Sequence, residues 1–367
     1  MKKRIGLGTW SWGNKFFWNY QTSNDDDLRE TYKEALKRGF NLIDSADSYG
    51  TGQLNGRSEQ LLGKFLLDTS NAQKKRIQIC TKLAPYPWRV GNKGFTKPFL
   101  KSLERLNNKL DIVQLHWSTA KYNPWQELQL LNNLCDLIDQ GFNKPFFKSL
   151  ERLNNKLDIV QLHWSTSKYN PWQELQLLDN LCDLLDKGFD FQIGLSNIGP
   201  QRLKTLIQYL TKRDRKVNNV QIQFSLLAPN LIKQNHVKKI CDENGIDFFA
   251  YSPLSFGILC IDPDKELNKE GAILRNILFE NYKKSTYELR RCLKSIAKKR
   301  SVSQAQVAVN WCCYQGTIPL VGMRKKSQVI DISNVFKWNL NKTEFELLQE
   351  ASNRCLKKIP DNPFSSL

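Results

Sequence analysis

Residues 41–50 read NLIDSADSYG, an apolar strand from Phe40 through Leu42 and Ile43 that runs into Asp44, Ser45, Ala46, Asp47, Ser48, Tyr49 and Gly50. A carboxylate at the end of a buried strand is costly unless it is paired. Packing alone accounts for many tyrosines at strand ends, so the rest of the chain must supply a partner for Asp44 and a purpose for Tyr49.

On either side the same pattern recurs. Ile5–Trp10 reads as a short strand ending in a glycine turn, and Leu28, Tyr32, Ala35 and Leu36 then mark an amphipathic helix stopped by Gly39. Arg57–Leu66 is the next helix, and Arg76–Lys82 is a strand that ends in lysine. Leu110–His116 is a strand that ends in histidine, and Phe191–Asn197 ends in Ser196 and Asn197. Val220–Phe224, Ile246–Tyr251 and Thr317–Gly322 complete the series. Strands alternating with helices imply parallel pairing through right-handed crossovers. About eight such units make a (β/α)8 barrel, an α/β fold whose chemistry gathers at the carboxyl ends of the strands. The polar residues named above all fall there.

One segment is written twice. Residues 95–141 and 142–188 are tandem copies of 47 residues that differ at six aligned positions, among them Asn132/Asp179 and Gln140/Lys187. Each copy holds a helix, the strand LDIVQLH and another helix, so His116 recurs as His163 and Cys135 as Cys182. Two copies are too few for a solenoid, and removing one leaves 320 residues, a length suited to one barrel. The expectation is a single domain, residues 1–367, holding a duplicated unit. Strand number, tilt and shear are linked in a closed barrel, so one copy is expected to close it while the surplus copy is extruded or loosely docked. The copy emerging first in synthesis has a slight edge.

Composition narrows the class. With 40% hydrophobic and 25% charged residues the chain reads as a soluble globular protein. No apolar run reaches the roughly 18 residues of a membrane span, and no apolar core follows the basic residues of MKKRIGLGTW, as a signal peptide would require. The nine cysteines form neither CxxC nor metal spacing, so reduced thiols, no metal site and a cytoplasmic setting are expected. The formal charge of +19 is spread along the chain, densest at 294–300 and 324–326. That distribution argues against a nucleic-acid face and suits a polyanionic small ligand. The expected assembly is a monomer or weak homo-oligomer.

Taken together, IDSADSYG, GRSEQLLG at 56–63, TK at 81–82, LHW at 115–117 or 162–164, GLSN at 194–197, YSPL at 251–254 and GTIPLVGMRKKSQV at 316–329 resemble the signatures of the aldo-keto reductases, in that family's order. The resemblance implies a (β/α)8 barrel that reduces an aldehyde or ketone with NADPH. It implies that Tyr49 is the general acid, that Lys82 lowers the Tyr49 pKa, that Asp44 pairs with Lys82, and that His116 or His163 orients the substrate oxygen. Ser118 and Ser165 stand where the family commonly has proline.

The same resemblance assigns the cofactor site. Thr9 and Trp10 fall at the end of the first strand. Ser196, Asn197 and Gln221 match positions on the nicotinamide carboxamide, and Tyr251 matches the aromatic stacked on its ring. Ser252, Pro253, Leu254 and Gly257 match the pyrophosphate loop. Gly322, Arg324, Lys325 and Gln328 match the adenosine end, where Arg324 and Lys325 could pair with a 2′-phosphate and favour NADPH over NADH. No GxGxxG follows a strand, so a Rossmann mode is not indicated. Trp10, Trp12, Trp18, Trp88 and Trp117 or Trp164 suggest an apolar pocket. The alternative reading is a weak or inactive nucleotide-binding paralogue of the same fold.

Overall fold

The computed structural model describes residues 4–90, 94–116, 129, 133, 159–162, 171–188, 190–228, 231–265 and 272–359. Nine strands close into one parallel barrel: β1 (Gly6–Gly8), β2 (Leu42–Asp44), β3 (Gln78–Leu83), β4 (Ile112–Leu115), β5 (Ile159–Leu162), β6 (Gln192–Ser196), β7 (Val217–Gln223), β8 (Asp247–Tyr251) and β9 (Ile318–Gly322). Each pairs with its neighbours in sequence, and β9 closes on β1. The described helices are α1 (Lys15–Trp18), α2 (Asp25–Lys37), α3 (Arg57–Leu67), α4 (Asn71–Lys74), α5 (Thr96–Arg105), α6 (Pro171–Asp186), α7 (Pro200–Thr211), α8 (Leu231–Glu243), α9 (Ile273–Lys283), α10 (Tyr287–Arg300), α11 (Gln304–Tyr314), α12 (Lys326–Ser333) and α13 (Lys342–Asn353).

Successive side chains of a strand point to opposite faces, and that alternation sorts the barrel. Leu7, Ile43, Ile79, Val113, Val160, Ile193, Val220 and Val321 belong to the core between strands and helices. Leu42, Cys80, Ile112, Ile159, Phe249 and Leu320 form a separate buried cluster inside the barrel. Two residues further along the same inward face come Asp44, Lys82, Gln114 and Gln161. An apolar plug thus sits beneath a polar layer.

The expectation that one copy is extruded is wrong. Both LDIVQLH strands enter the sheet side by side, Ile112 opposite Ile159, Val113 opposite Val160 and Gln114 opposite Gln161. Because each copy carries a single strand between helices, the second copy arrives one strand further round with its faces unchanged. Ile159 and Gln161 point in and Val160 points out, as in the first copy. Leaving β5 outside would expose its apolar residues and orphan its backbone groups. Barrel diameter grows with strand number, so the ninth strand widens the barrel rather than breaking it.

The second copy is also fitted to the helix after β6. Asp179 on α6 accepts from Tyr209 Oη at 2.7 Å and from Arg213 Nη1 at 3.0 Å, both at the α7 end. The first copy has Asn132 at the aligned position.

Candidate active site

The turn after β2 brings the chemistry together. Tyr49 N–H donates to the Ala46 carbonyl at 3.1 Å, and Gly50 follows with φ 129, where a Cβ would stand 1.8 Å from the Leu54 carbonyl oxygen. Only glycine closes this turn. Lys82, the last inward-facing residue of β3, sends Nζ to Asp44 Oδ2 at 2.7 Å, to the Ser45 carbonyl at 2.7 Å and to Tyr49 Oη at 3.2 Å. Asp44 has the partner its burial demands. His116 extends the β3–β4 ladder, its N–H donating to the Leu83 carbonyl at 2.8 Å. Its ring stands edge-on to Tyr49 with centroids 5.5 Å apart, and Nδ1 lies 2.8 Å from Ser48 Oγ. The histidine beside Tyr49 and Lys82 is therefore that of the first copy; His163 lies outside the described residues.

The electrostatics differ from the expectation at one point. Burial pushes the Tyr49 phenol up to about 12, against the lowering effect of Lys82. A neighbouring cation was expected to bring it down. That cation is already matched by Asp44, whose charge raises the phenol further, and burial penalises phenolate more than Lys82 rewards it. Burial pulls the Lys82 ammonium down, but Asp44 and Tyr49 outweigh it and hold the group above its ordinary range. The resting pair is a phenol beside an ammonium.

These groups line a cleft of about 460 Å³ at the carboxyl ends of the strands. Asp44, Trp10, Gln221, Tyr251, Ser252, Pro253, Leu254, Gly257, Gly322, Arg324 and Gln328 line it too. Four expected binding residues do not. Thr9 is buried, donating through Oγ1 to the Asp44 carbonyl at 2.9 Å and accepting from Ser58 Oγ at 2.7 Å. Ser196 donates to the Gln221 carbonyl at 2.6 Å, and Asn197 donates to Ser196 Oγ at 2.9 Å. Asn197 Oδ1 accepts from Tyr251 Oη at 2.7 Å, so this pair anchors the Tyr251 hydroxyl. Lys325 donates its backbone N–H to Gln328 Oε1, as does Arg324.

Sequence reasoning missed Arg275, on α9. Its guanidinium lies 4.8 Å from the centre of the Trp18 ring and 4.3 Å from that of Phe279. Arg324 lies over the same Trp18 ring at 4.9 Å and donates to the Trp18 carbonyl at 2.8 Å. Burial, with the Arg324 charge adding to it, brings Arg275 down to about 10. Its Nε is buried without a hydrogen-bond partner. Two arginines held together in a cleft, one with an orphan donor, fit an anionic ligand such as a phosphate. The loop beside them is tightly wound: Ser252, Ser255, Phe256 and Gly257 all have positive φ, and a Cβ on Gly257 would meet Arg275 Nη2 at 3.1 Å.

Of the expected aromatics, Trp10 and Trp18 line the cleft. Trp10 packs with Phe17 and Phe256 at 5.3 and 5.6 Å between centroids, which makes Phe256 a further lining residue that the motifs did not reveal. Trp12 is fully buried, donating Nε1–H to the Met323 carbonyl at 2.9 Å. Trp88 is exposed and stacks on Tyr86. Trp117 and Trp164 lie outside the described residues. Among the described residues there is no cluster of histidine, cysteine and acid that could hold a metal, and no helix is long and apolar enough to cross a membrane.

The sequence model of the Aldo/keto reductase family matches residues 4–144 and again 133–353. The chain is 36% identical over 365 residues to a protein of Arabidopsis thaliana named "Pyridoxal reductase, chloroplastic", covering 99% of this chain and 86% of that one. It is 24% identical over 355 residues to "Aldo-keto reductase YhdN" of Bacillus subtilis, covering 92% of this chain and 86% of that one. Among solved structures, the glycerol dehydrogenase AKR11B4 from Gluconobacter oxydans superposes with a TM-score of 0.63 at 21% identity, covering 98% of this chain and 94% of that one.

Proposed function

From the premise that this chain belongs to the aldo/keto reductase family, we propose that it is an NADPH-dependent reductase of small aldehydes or ketones with Tyr49 as proton donor. The observation that carries the reading is Lys82 Nζ touching both Asp44 and Tyr49 on the wall of a cleft that also holds His116. The reduced nicotinamide, when bound, supplies hydride to the carbonyl carbon. Tyr49 releases its proton to the oxygen as negative charge develops there, and Lys82 stabilises the phenolate left behind. His116 hydrogen-bonds the same oxygen and orients it. Arg324 and Arg275 would meet phosphate groups of the cofactor, and a second cation beside Arg324 supports NADPH over NADH. Trp10, Trp18 and Phe256 give the cleft apolar walls.

Pyridoxal is the first substrate to try, because the plant relative carries that name. The test is oxidation of NADPH by the purified chain, followed by the absorbance of the reduced nicotinamide, with pyridoxal and an activated aromatic aldehyde. Turnover is expected with at least one; no turnover with any carbonyl tried would sink the reductase reading. Cytoplasmic residence is also our reading, supported by the thiol state of Cys80, Cys182, Cys241, Cys260, Cys292, Cys312 and Cys355, although the plant relative is named chloroplastic.

The ninth strand favours a second reading, a cofactor-binding paralogue with weak turnover. β5 stands between β4, which leads into His116, and β6, which carries Ser196. One strand adds about 4.8 Å across the sheet, whereas hydride transfer needs contact distances. NADPH affinity with negligible turnover would select this reading.

A further inference from the structure

We infer that the Ser48 hydroxyl sets the tautomer of His116 so that the imidazole presents Nε2–H to the substrate oxygen. The inference rests on the carbonyl-reductase reading of the site and adds one positioning residue to it. Ser48 lies between Asp47 and Tyr49 in the tight turn after β2, and its Oγ is 2.8 Å from His116 Nδ1.

The turn that carries Ser48 is held on both sides in sequence: Tyr49 N–H donates to the Ala46 carbonyl at 3.1 Å, and Asp47 Oδ2 accepts from Arg89 at 2.5 Å. Ser48 Oγ is thereby kept within reach of the imidazole.

A neutral imidazole has one N–H, and the hydrogen bond made by one ring nitrogen decides where it resides. With the Ser48 hydroxyl donating to Nδ1, the proton sits on Nε2. A carbonyl oxygen only accepts, so this is the tautomer that can bind it. The reverse arrangement would leave Nε2 a bare lone pair, repelling the oxygen that Tyr49 must protonate. Sequence motifs single out Tyr49 and His116 but attach nothing to Ser48, because its partner is 68 residues away in the chain.

The test is nitrogen-15 NMR on full-length chain labelled at its three histidines, with His116→Asn identifying the His116 signals. The expected wild-type spectrum shows neutral His116 protonated at Nε2. Ser48→Ala is expected to lower kcat/KM about tenfold, mainly through kcat, leave NADPH affinity unchanged and shift the acid limb of the pH profile; Ser48→Thr should restore most of the loss. An Nδ1–H tautomer in the wild type overturns the inference, and so does full kcat/KM in Ser48→Ala. If no carbonyl is turned over, the reductase reading fails, and the wild-type tautomer still decides the Ser48–His116 relation separately.

Discussion

Gln114 and Gln161 are the same residue of the two copies and face each other across β4 and β5, yet they hold different partners. Gln114 Nε2 donates across the barrel to Gln221 Oε1 at 3.0 Å, whereas Gln161 Nε2 donates to the Leu195 carbonyl at 2.8 Å. Identical sequence is given distinct work by position in the ring. β4 neighbours β3 and its Lys82; β5 neighbours β6.

That inequality makes the two histidines separable. In the full-length chain His116→Ala should cost roughly a hundredfold in kcat/KM, while His163→Ala should stay within about threefold. Steady-state kinetics on both variants checks this. Comparable partial losses would mean that either copy can pair with β3.

Deleting either copy should yield an eight-stranded barrel with one histidine in place, because the two products differ at only six positions. They should differ in stability. Removal of 142–188 keeps Asn132 and loses the contacts of Asp179 with Tyr209 and Arg213. Its Tm should lie below that of the chain lacking 95–141, and Asn132→Asp should close the gap. Equal Tm values would refute the fitted-copy argument.

Tyr49→Phe should lower kcat/KM for carbonyl reduction by roughly a hundredfold or more while NADPH still binds, as read by fluorescence titration. With the phenol at about 12, the wild-type reduction profile should show no falling limb from this group below pH about 10. A limb near neutrality that vanishes in Tyr49→Phe would show that Lys82 outweighs burial after all.

Arg275→Ala and Arg324→Ala should each weaken NADPH binding roughly tenfold and weaken NADH less. Equal losses for the two nucleotides would place the arginines away from the extra phosphate and on a group that both share.

Asp47 sets a stability window. Burial raises its carboxyl to about 7 against the pull of Arg89. Between about pH 4 and 7 the folded chain therefore holds a proton that the unfolded chain has released, and this group removes stability as pH rises through that window. Asp47→Asn should have the higher Tm at pH 8, with the gap narrowing toward pH 4. Thermal melts across that range check it, and a gap independent of pH would exclude Asp47 as the source.

Much of the barrel and its site was readable from residue order. Strand alternation alone puts Asp44 with Leu42 and Lys82 with Cys80 on the inward face, and parallel pairing brings the polar ends of β2, β3 and β4 to one rim. Those are local rules with periods of two residues and one βα unit, so linear text carries them. The fate of the second copy was not readable, because joining the sheet depends on hydrogen bonds to β4 and β6 that no local rule weighs. Nor was the choice of His116, which follows from β4 lying against β3. Arg275 carries no motif and enters the cleft only because α9 packs against α1 and Trp18. The Tyr49 phenol is raised because burial exceeds the effect of one cation. Each of these is a balance between groups distant in the chain, and such balances exist only once the chain has closed on itself.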